Sequence, residues 1–353
     1  MASGEKTYDP FPRGDFPVGV RTVEAHDPAR NRRFPCEIWY PASAQHARQD
    51  IREDTQDSFT ISFPPDALPR RQMAVRNAEA RPGKYPLVLF SHSSGGGRRQ
   101  SSFLCTHLSS HGYVVAALDH SELVAPELAR KADETPEQRS ARAEAWIANR
   151  VPDVRFLLDY VLNKGASHLG CEVDANRVGI VGHSFGGWTA LAAPERDRRI
   201  RAIVALAPAG ASQRKSGIIP VTLTFDWGRD VPTLYLVADG DTALPLAGMY
   251  ELFERTPSRK QMLILRRADH CHFMDNIEEV HEAVRKMSYP GAEEMRPIEE
   301  LTSGEQTYLF VRGLTLAHMD AALRGQQDAQ GFLASDLERD LRERGVDAFQ
   351  KMT

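Results

Sequence analysis

The chain has 353 residues, 41% of them apolar and 26% charged, with a formal net charge of −4. That length can bury a large core and suits one large α/β domain or two modest ones. The charge balance excludes the basic excess of a nucleic-acid binder, and no run approaches the roughly 18 apolar residues of a membrane span.

The opening stretch, MASGEKTYDPFPRGDFPVGV, holds no apolar run and no cleavage pattern. Cys36, Cys105, Cys171 and Cys271 are scattered without paired spacing, as buried thiols in a reducing compartment are. A cytoplasmic protein is the expectation. Oligomeric state leaves no trace in the sequence.

VGVRTVEA (18–25) and CEIWYP (36–41) read as two early strands, an expected hairpin. PLVLFSH (86–92), YVVAALDH (113–120), RVGIVGH (177–183), IRAIVALAP (200–208), TLYLVAD (233–239) and QMLILRR (261–267) follow. Their continuous apolar character fits strands buried on both faces, as in a parallel sheet. Helical patterns lie between them. QSSFLCTHLSSHG is one; in RVPDVRFLLDYVLNKG, Val151, Val154, Leu157, Leu158, Val161 and Leu162 share a face. Strands alternating with helices predict a mostly parallel eight-stranded sheet flanked by helices.

Two segments break the rhythm. Residues 44–82 are polar and proline-dotted around FTISFPP, and residues 121–149 are charged and helix-prone. Both read as insertions over the site rather than linkers, so 1–353 is expected to be a single domain. From about residue 300 the chain is helical. An extension from about 325 ends in SDLERDLRERGVDAF, which reads as a charged helix.

The chemistry centres on Gly182-His183-Ser184-Phe185-Gly186. Gly-x-Ser-x-Gly between a buried strand and a helix is a nucleophile elbow, in which a strained turn lifts the serine hydroxyl clear of the sheet. The turn also sets Ser184 at a helix N-terminus, where backbone N–H groups stabilise negative charge. A serine needs a base, and the base an orienting acid, in the chain order serine, acid, histidine. Downstream, TLYLVADGDTALP ends a strand with Asp239 and Asp241, and QMLILRRADHCHFMDN ends the next with His270 and His272. Either aspartate and either histidine fits; Asp226 reads as a loop residue and His183 as packing. DHCHFMD holds metal-binding residue types but lacks the spaced second ligand pair of a zinc site, so neither metal nor cofactor is expected.

These residues, with GDFPVGVRTVEAHDPARNRRFPCEIWYPA, PLVLFSHSSGGGRRQSSFLCTHLSSHGYVVAALDH and VPTLYLVADGDTALP, make the chain resemble an α/β-hydrolase. It is similar to the dienelactone hydrolase and platelet-activating-factor acetylhydrolase-like group, close to the cutinase-type polyesterases. The resemblance runs from about residue 14 to 320. It implies Asp241 as the acid and His270 as the base, in an Ala-x-His-x-x-Phe pattern completed by Phe273. It implies an oxyanion hole from the amides of Phe185 and Ser94. Ser93 stands where the group has glycine, which leaves the amides of Ser93 and Gly95 as alternatives.

The implied reaction is cleavage of a small or medium carboxylic ester or lactone through a Ser184-His270-Asp241 triad and an acyl-enzyme. The partner is a small-molecule ester. Amide hydrolysis or acyl transfer by the same triad is the alternative, and a non-catalytic binding protein of hydrolase fold a more distant one. Ser93, Phe59, Phe63, Trp146 and Trp188 are candidates for the substrate pocket, although aromatic residues also serve as core.

Overall fold

The computed structural model describes residues 8–63, 66–165, 169–213, 215, 217–287 and 291–351. The early hairpin is β1 (Val18–Asp27) and β2 (Arg32–Pro41), paired antiparallel. The 44–82 insertion folds into a separate hairpin, β3 (Asp57–Phe63) and β4 (Asp66–Gln72), followed by the two-residue β5 (Val75–Arg76). The main strands are β6 (Lys84–Ser91), β7 (Val114–Leu118), β8 (Glu172–His183), β9 (Ile200–Leu206), β10 (Thr233–Ala238) and β11 (Lys260–Leu265). With β12 (Ala348–Gln350), they build a ten-stranded sheet in the order β12-β11-β10-β9-β8-β6-β7-β2-β1-β5. Its centre, from β7 to β11, is parallel throughout.

The expected eight strands are all present. The sheet gains β5 and β12, each too short for an apolar run to announce it. β12 also corrects the reading of the C-terminus. The charged stretch is a helix only over Leu337–Glu343. Gly345, at φ +79°, then turns the chain so that residues 348–350 pair antiparallel with β11. Leu337, Leu341 and Val346 are buried, which fixes this turn against the sheet edge.

Why the strand sequences are continuously apolar is plain from the packing. Leu87 and Leu89 of β6 point into one core and Val88 and Phe90 into the other. The first core is closed by Val154, Leu157 and Leu158 of α3 (Pro136–Tyr160) and by Ala190 and Leu191 of α4 (Phe185–Arg196). The second is closed by Leu104 and Leu108 of α1 (Ser102–Ser110) and by residues such as Phe310 and Leu314 of a long C-terminal helix (Gly304–Met319). α2 is the single turn Ser121–Val124.

α3 differs from expectation. One helix runs through the boundary drawn at residue 149, because its start is set by a capping box at Thr135 and Gln138 with Pro136 in the first turn. The second insertion thus ends in the first half of this helix.

Candidate active site

In a parallel sheet, β6, β8, β10 and β11 all end at the same edge. The loops leaving them carry Ser93–Ser94, Ser184, Asp241 and His270. This edge is where an open α/β sheet holds its ligands.

At the end of β8, Ser184 has φ 58° and ψ −116°, a conformation that non-glycine residues seldom adopt. Its carbonyl accepts from Ala209 at 3.0 Å and its N–H donates to Leu206 at 2.9 Å, so the turn is held from both sides. The two glycines are required by close approach. A Cβ on Gly182 would stand 2.0 Å from the Gly186 carbonyl oxygen, and one on Gly186 would stand 1.9 Å from that of Ser91. α4 begins at Phe185, so the Phe185 amide is one of the N–H groups a helix leaves unpaired.

The loop after β10 supplies Asp241. One of its oxygens accepts from the amides of Ala243 at 2.9 Å and Leu244 at 2.7 Å. The other lies 2.8 Å from His270 Nδ1. Burial weakens proton binding at His270, but the Asp241 charge and hydrogen bond outweigh it and the imidazole pKa is raised. Of the two aspartates and two histidines left open by the residues alone, these are the two that meet. Among the described residues the Asp239 carboxylate accepts only from the Ala268 amide, at 3.4 Å, and Asp226 is exposed on its loop. His272 is committed to backbone groups: Nδ1 accepts from the Asp269 amide of its own loop at 3.0 Å, and Nε2 donates to the Thr302 carbonyl at 3.1 Å. Burial pushes its pKa down to about 4. His183 packs its ring 4.8 Å from that of His270, with Nδ1 accepting from Gln100 at 2.8 Å.

The loop after β6 is held unusually firmly. The Ser93 N–H donates to Gln100 Oε1 at 2.8 Å, so that amide is already engaged. His92 Nε2 accepts from the His120 N–H at 3.1 Å, which puts the ring proton on Nδ1; this donates to the Ser93 carbonyl at 2.7 Å. Among the described residues nothing accepts from the Ser94 N–H. The His270 loop is fastened to the same region. The Asp275 carboxylate accepts from the amides of Ser102 and Phe103 at the start of α1, at 2.9 and 3.0 Å, and Ser101 donates to the Phe273 carbonyl at 2.9 Å.

Ser93, Ser94, Ser184, Phe185 and His270 line one cleft of about 640 Å³. Trp146 lines it too, its Nε1 anchored on the Leu128 carbonyl at 2.8 Å. Met274, Val280, Val284 and Met295 form an apolar wall beside His270. Trp188 and Phe59 do not line the cleft, which corrects two of the pocket candidates. Trp188 stacks under Phe185 at 5.5 Å, donates to the Thr222 carbonyl at 2.7 Å and faces a separate groove between α3 and α4. Phe59 sits on the outer hairpin beneath the Arg99 guanidinium, 4.8 Å from its ring centre. The Phe63 side chain lies outside the described residues. Among the described residues no group of three or more His, Cys, Asp or Glu side chains is placed to hold a metal.

Residues 69–154 match the family described as platelet-activating factor acetylhydrolase, isoform II. A platelet-activating factor acetylhydrolase of Gallus gallus is 28% identical over 48% of this chain and 51% of its own. Cutinase est1 of Thermobifida alba is 26% identical over 55% of each. The structure of a ferulic acid esterase from Streptomyces cinnamoneus superposes with a TM-score of 0.60 at 26% identity, over 92% of this chain and 94% of that one. The chain has an α/β-hydrolase fold and is similar to the acetylhydrolase and cutinase-like group. It spans about half the length of curated relatives such as the Gallus gallus and Thermobifida alba proteins.

Within this hydrolase fold, one important residue went unnoticed in the sequence. Arg150 is fully buried on α3. It donates to the His92 carbonyl at 2.5 Å and the Ser93 carbonyl at 3.2 Å, pairs with the Glu122 carboxylate, and lies 4.2 Å from the Phe185 ring centre. The available signal was its position: Arg150 falls one turn before Val154 on the apolar face of that helix, where an arginine needs a buried partner.

Proposed function

We propose that the protein is a serine hydrolase of carboxylic esters, with Ser184 as nucleophile, His270 as base and Asp241 as its orienting acid. The observation that carries this reading is the 2.8 Å contact between His270 and Asp241 on the cleft that Ser184 also lines. His270 Nε2 takes the Ser184 proton as Oγ adds to the ester carbonyl. Asp241 holds the imidazole by Nδ1 and stabilises the cation that forms. The amides of Phe185 and Ser94 receive the oxyanion; loss of one such donor costs about 10²–10³ in rate. Collapse expels the alcohol, which takes the proton back from His270. Water, deprotonated by the same imidazole, then releases the acid.

The similar proteins named as acetylhydrolase, cutinase and ferulic acid esterase all bear the names of ester hydrolases. The mixed wall of the cleft, apolar at Met274, Val280 and Met295, suits a small or medium ester with an apolar portion. The test is a panel of p-nitrophenyl esters of rising acyl length, with Ser184→Ala alongside. Hydrolysis by the wild type and its loss in Ser184→Ala support the reading; a folded wild type inert toward the whole panel overturns it.

A further inference from the structure

We infer that Arg150 is a positioning residue of the oxyanion hole, acting through the peptide between Ser93 and Ser94, an inference that rests on the hydrolase reading above. The relevant peptides are consecutive. The His92–Ser93 peptide is tied at both ends, its carbonyl by Arg150 at 2.5 Å and its N–H by Gln100 at 2.8 Å. The next peptide, Ser93–Ser94, is tied at its carbonyl, where Arg150 at 3.2 Å joins His92 Nδ1 at 2.7 Å and the Gly96 amide at 3.2 Å. Its other end is the N–H of Ser94, a residue that lines the cleft and whose amide has no acceptor among the described residues.

Two physical consequences follow. Donors on a peptide carbonyl polarise that peptide and strengthen the hydrogen bond its N–H gives. A cation is the strongest such donor. The same donors prevent the peptide from flipping, so the N–H waits in place for the oxyanion and needs no reorganisation during reaction. Arg150 reaches the second proposed donor too, since its guanidinium lies against the ring of Phe185, whose amide opens α4. Arginine suits this position: its planar fork serves two carbonyls and a carboxylate at once, which a lysine ammonium does not match.

The pair is deeply placed. The Arg150 side chain is 0% exposed and that of Glu122 2%. Glu122 balances the charge of Arg150 and lines the same cleft as His270. A buried pair with a merely structural purpose affects folding alone. A pair that sets the Ser94 amide affects the transition state selectively.

The experiment compares wild type with Arg150→Lys and the double variant Arg150→Met/Glu122→Gln, which leaves no unpaired buried charge if the single changes fail to fold. Each folded protein is assayed with p-nitrophenyl acetate for kcat and KM. Each is also titrated with an alkyl trifluoromethyl ketone, which adds to the serine and forms a stable tetrahedral oxyanion. The expected result for the double variant is a kcat lower by about 10², near the smaller cost of losing one oxyanion donor, with KM within a few-fold. The ketone should bind weaker by a similar factor, with the acid midpoint of the rate unchanged. Arg150→Lys should lie between. A folded double variant with wild-type kcat, or one whose kcat falls while ketone affinity holds, overturns the inference. A wild type that neither cleaves the ester nor binds the ketone overturns the hydrolase reading itself, and this one with it.

Discussion

His270 Nδ1 and Asp241 Oδ2 are 2.8 Å apart, and the second oxygen of Asp241 is held by two backbone amides. The carboxylate is therefore fixed before it fixes the histidine. Asp241→Asn keeps the shape but offers His270 an amide that stabilises the wrong tautomer. Steady-state kinetics should find kcat lower by about 10⁴, the scale seen when a triad carboxylate becomes an amide, with a melting temperature close to that of the wild type.

The pH dependence follows from the same pair. As the proposed base, His270 must be neutral to take the serine proton. Its pKa is raised above 6.5, burial being outweighed by Asp241. Activity should thus fall as pH drops through a midpoint above 6.5 in a kcat/KM profile. In Asp241→Asn the residual activity should lose its acid limb at lower pH, because burial then acts with less opposition.

His272 serves stability instead. Its pKa is near 4 in the folded chain, against 6.5 for an ordinary histidine, because of burial and the neighbouring His281. Between those values the unfolded chain binds more protons, so stability rises with pH across the window, by up to about 1.4 kcal/mol per pH unit for each such histidine. His272→Gln should make the dependence of unfolding free energy on pH, measured in urea between pH 4 and 6.5, shallower by nearly one proton. Reaction of Ser184 with an active-site reagent should persist.

The elbow glycines give a contrast in stability. Gly186→Ala sets a Cβ 1.9 Å from the Ser91 carbonyl oxygen. A loss of about 3 kcal/mol is expected from such overpacking against backbone. Gly331→Ala, in the helix Gln327–Leu333, meets nothing within 4 Å and should stabilise by about 0.5–1 kcal/mol. Thermal melts of the two variants check both signs.

Much of this was legible in the sequence because each feature is local. Strands β6 to β11 are buried on both faces, so their apolar runs are continuous, and the elbow is a strand, a pentapeptide and a helix in sequence. The choices among Asp239, Asp241, His270 and His272 depended on the resemblance, since the residues alone do not say which pair meets across 29 positions. What stayed hidden depends on distant contacts. Arg150 gains its meaning from carbonyls 57 and 58 residues away. Trp188 is an aromatic residue that the sequence leaves open between pocket and core; its ring lies beneath Phe185 and its indole N–H is committed to Thr222. β12 was read as helix because its charged neighbours form one, and only its pairing with β11 makes it a strand.

The central claim is that Ser184 is a nucleophile activated by His270. Intact mass after treatment with a serine-directed fluorophosphonate tests it most directly, with wild type, Ser184→Ala, His270→Ala and His272→Ala compared side by side. The predicted result is a single adduct on wild type and on His272→Ala, none on Ser184→Ala, and little or none on His270→Ala. A folded wild type that stays unlabelled, or an adduct that survives Ser184→Ala, would contradict the claim.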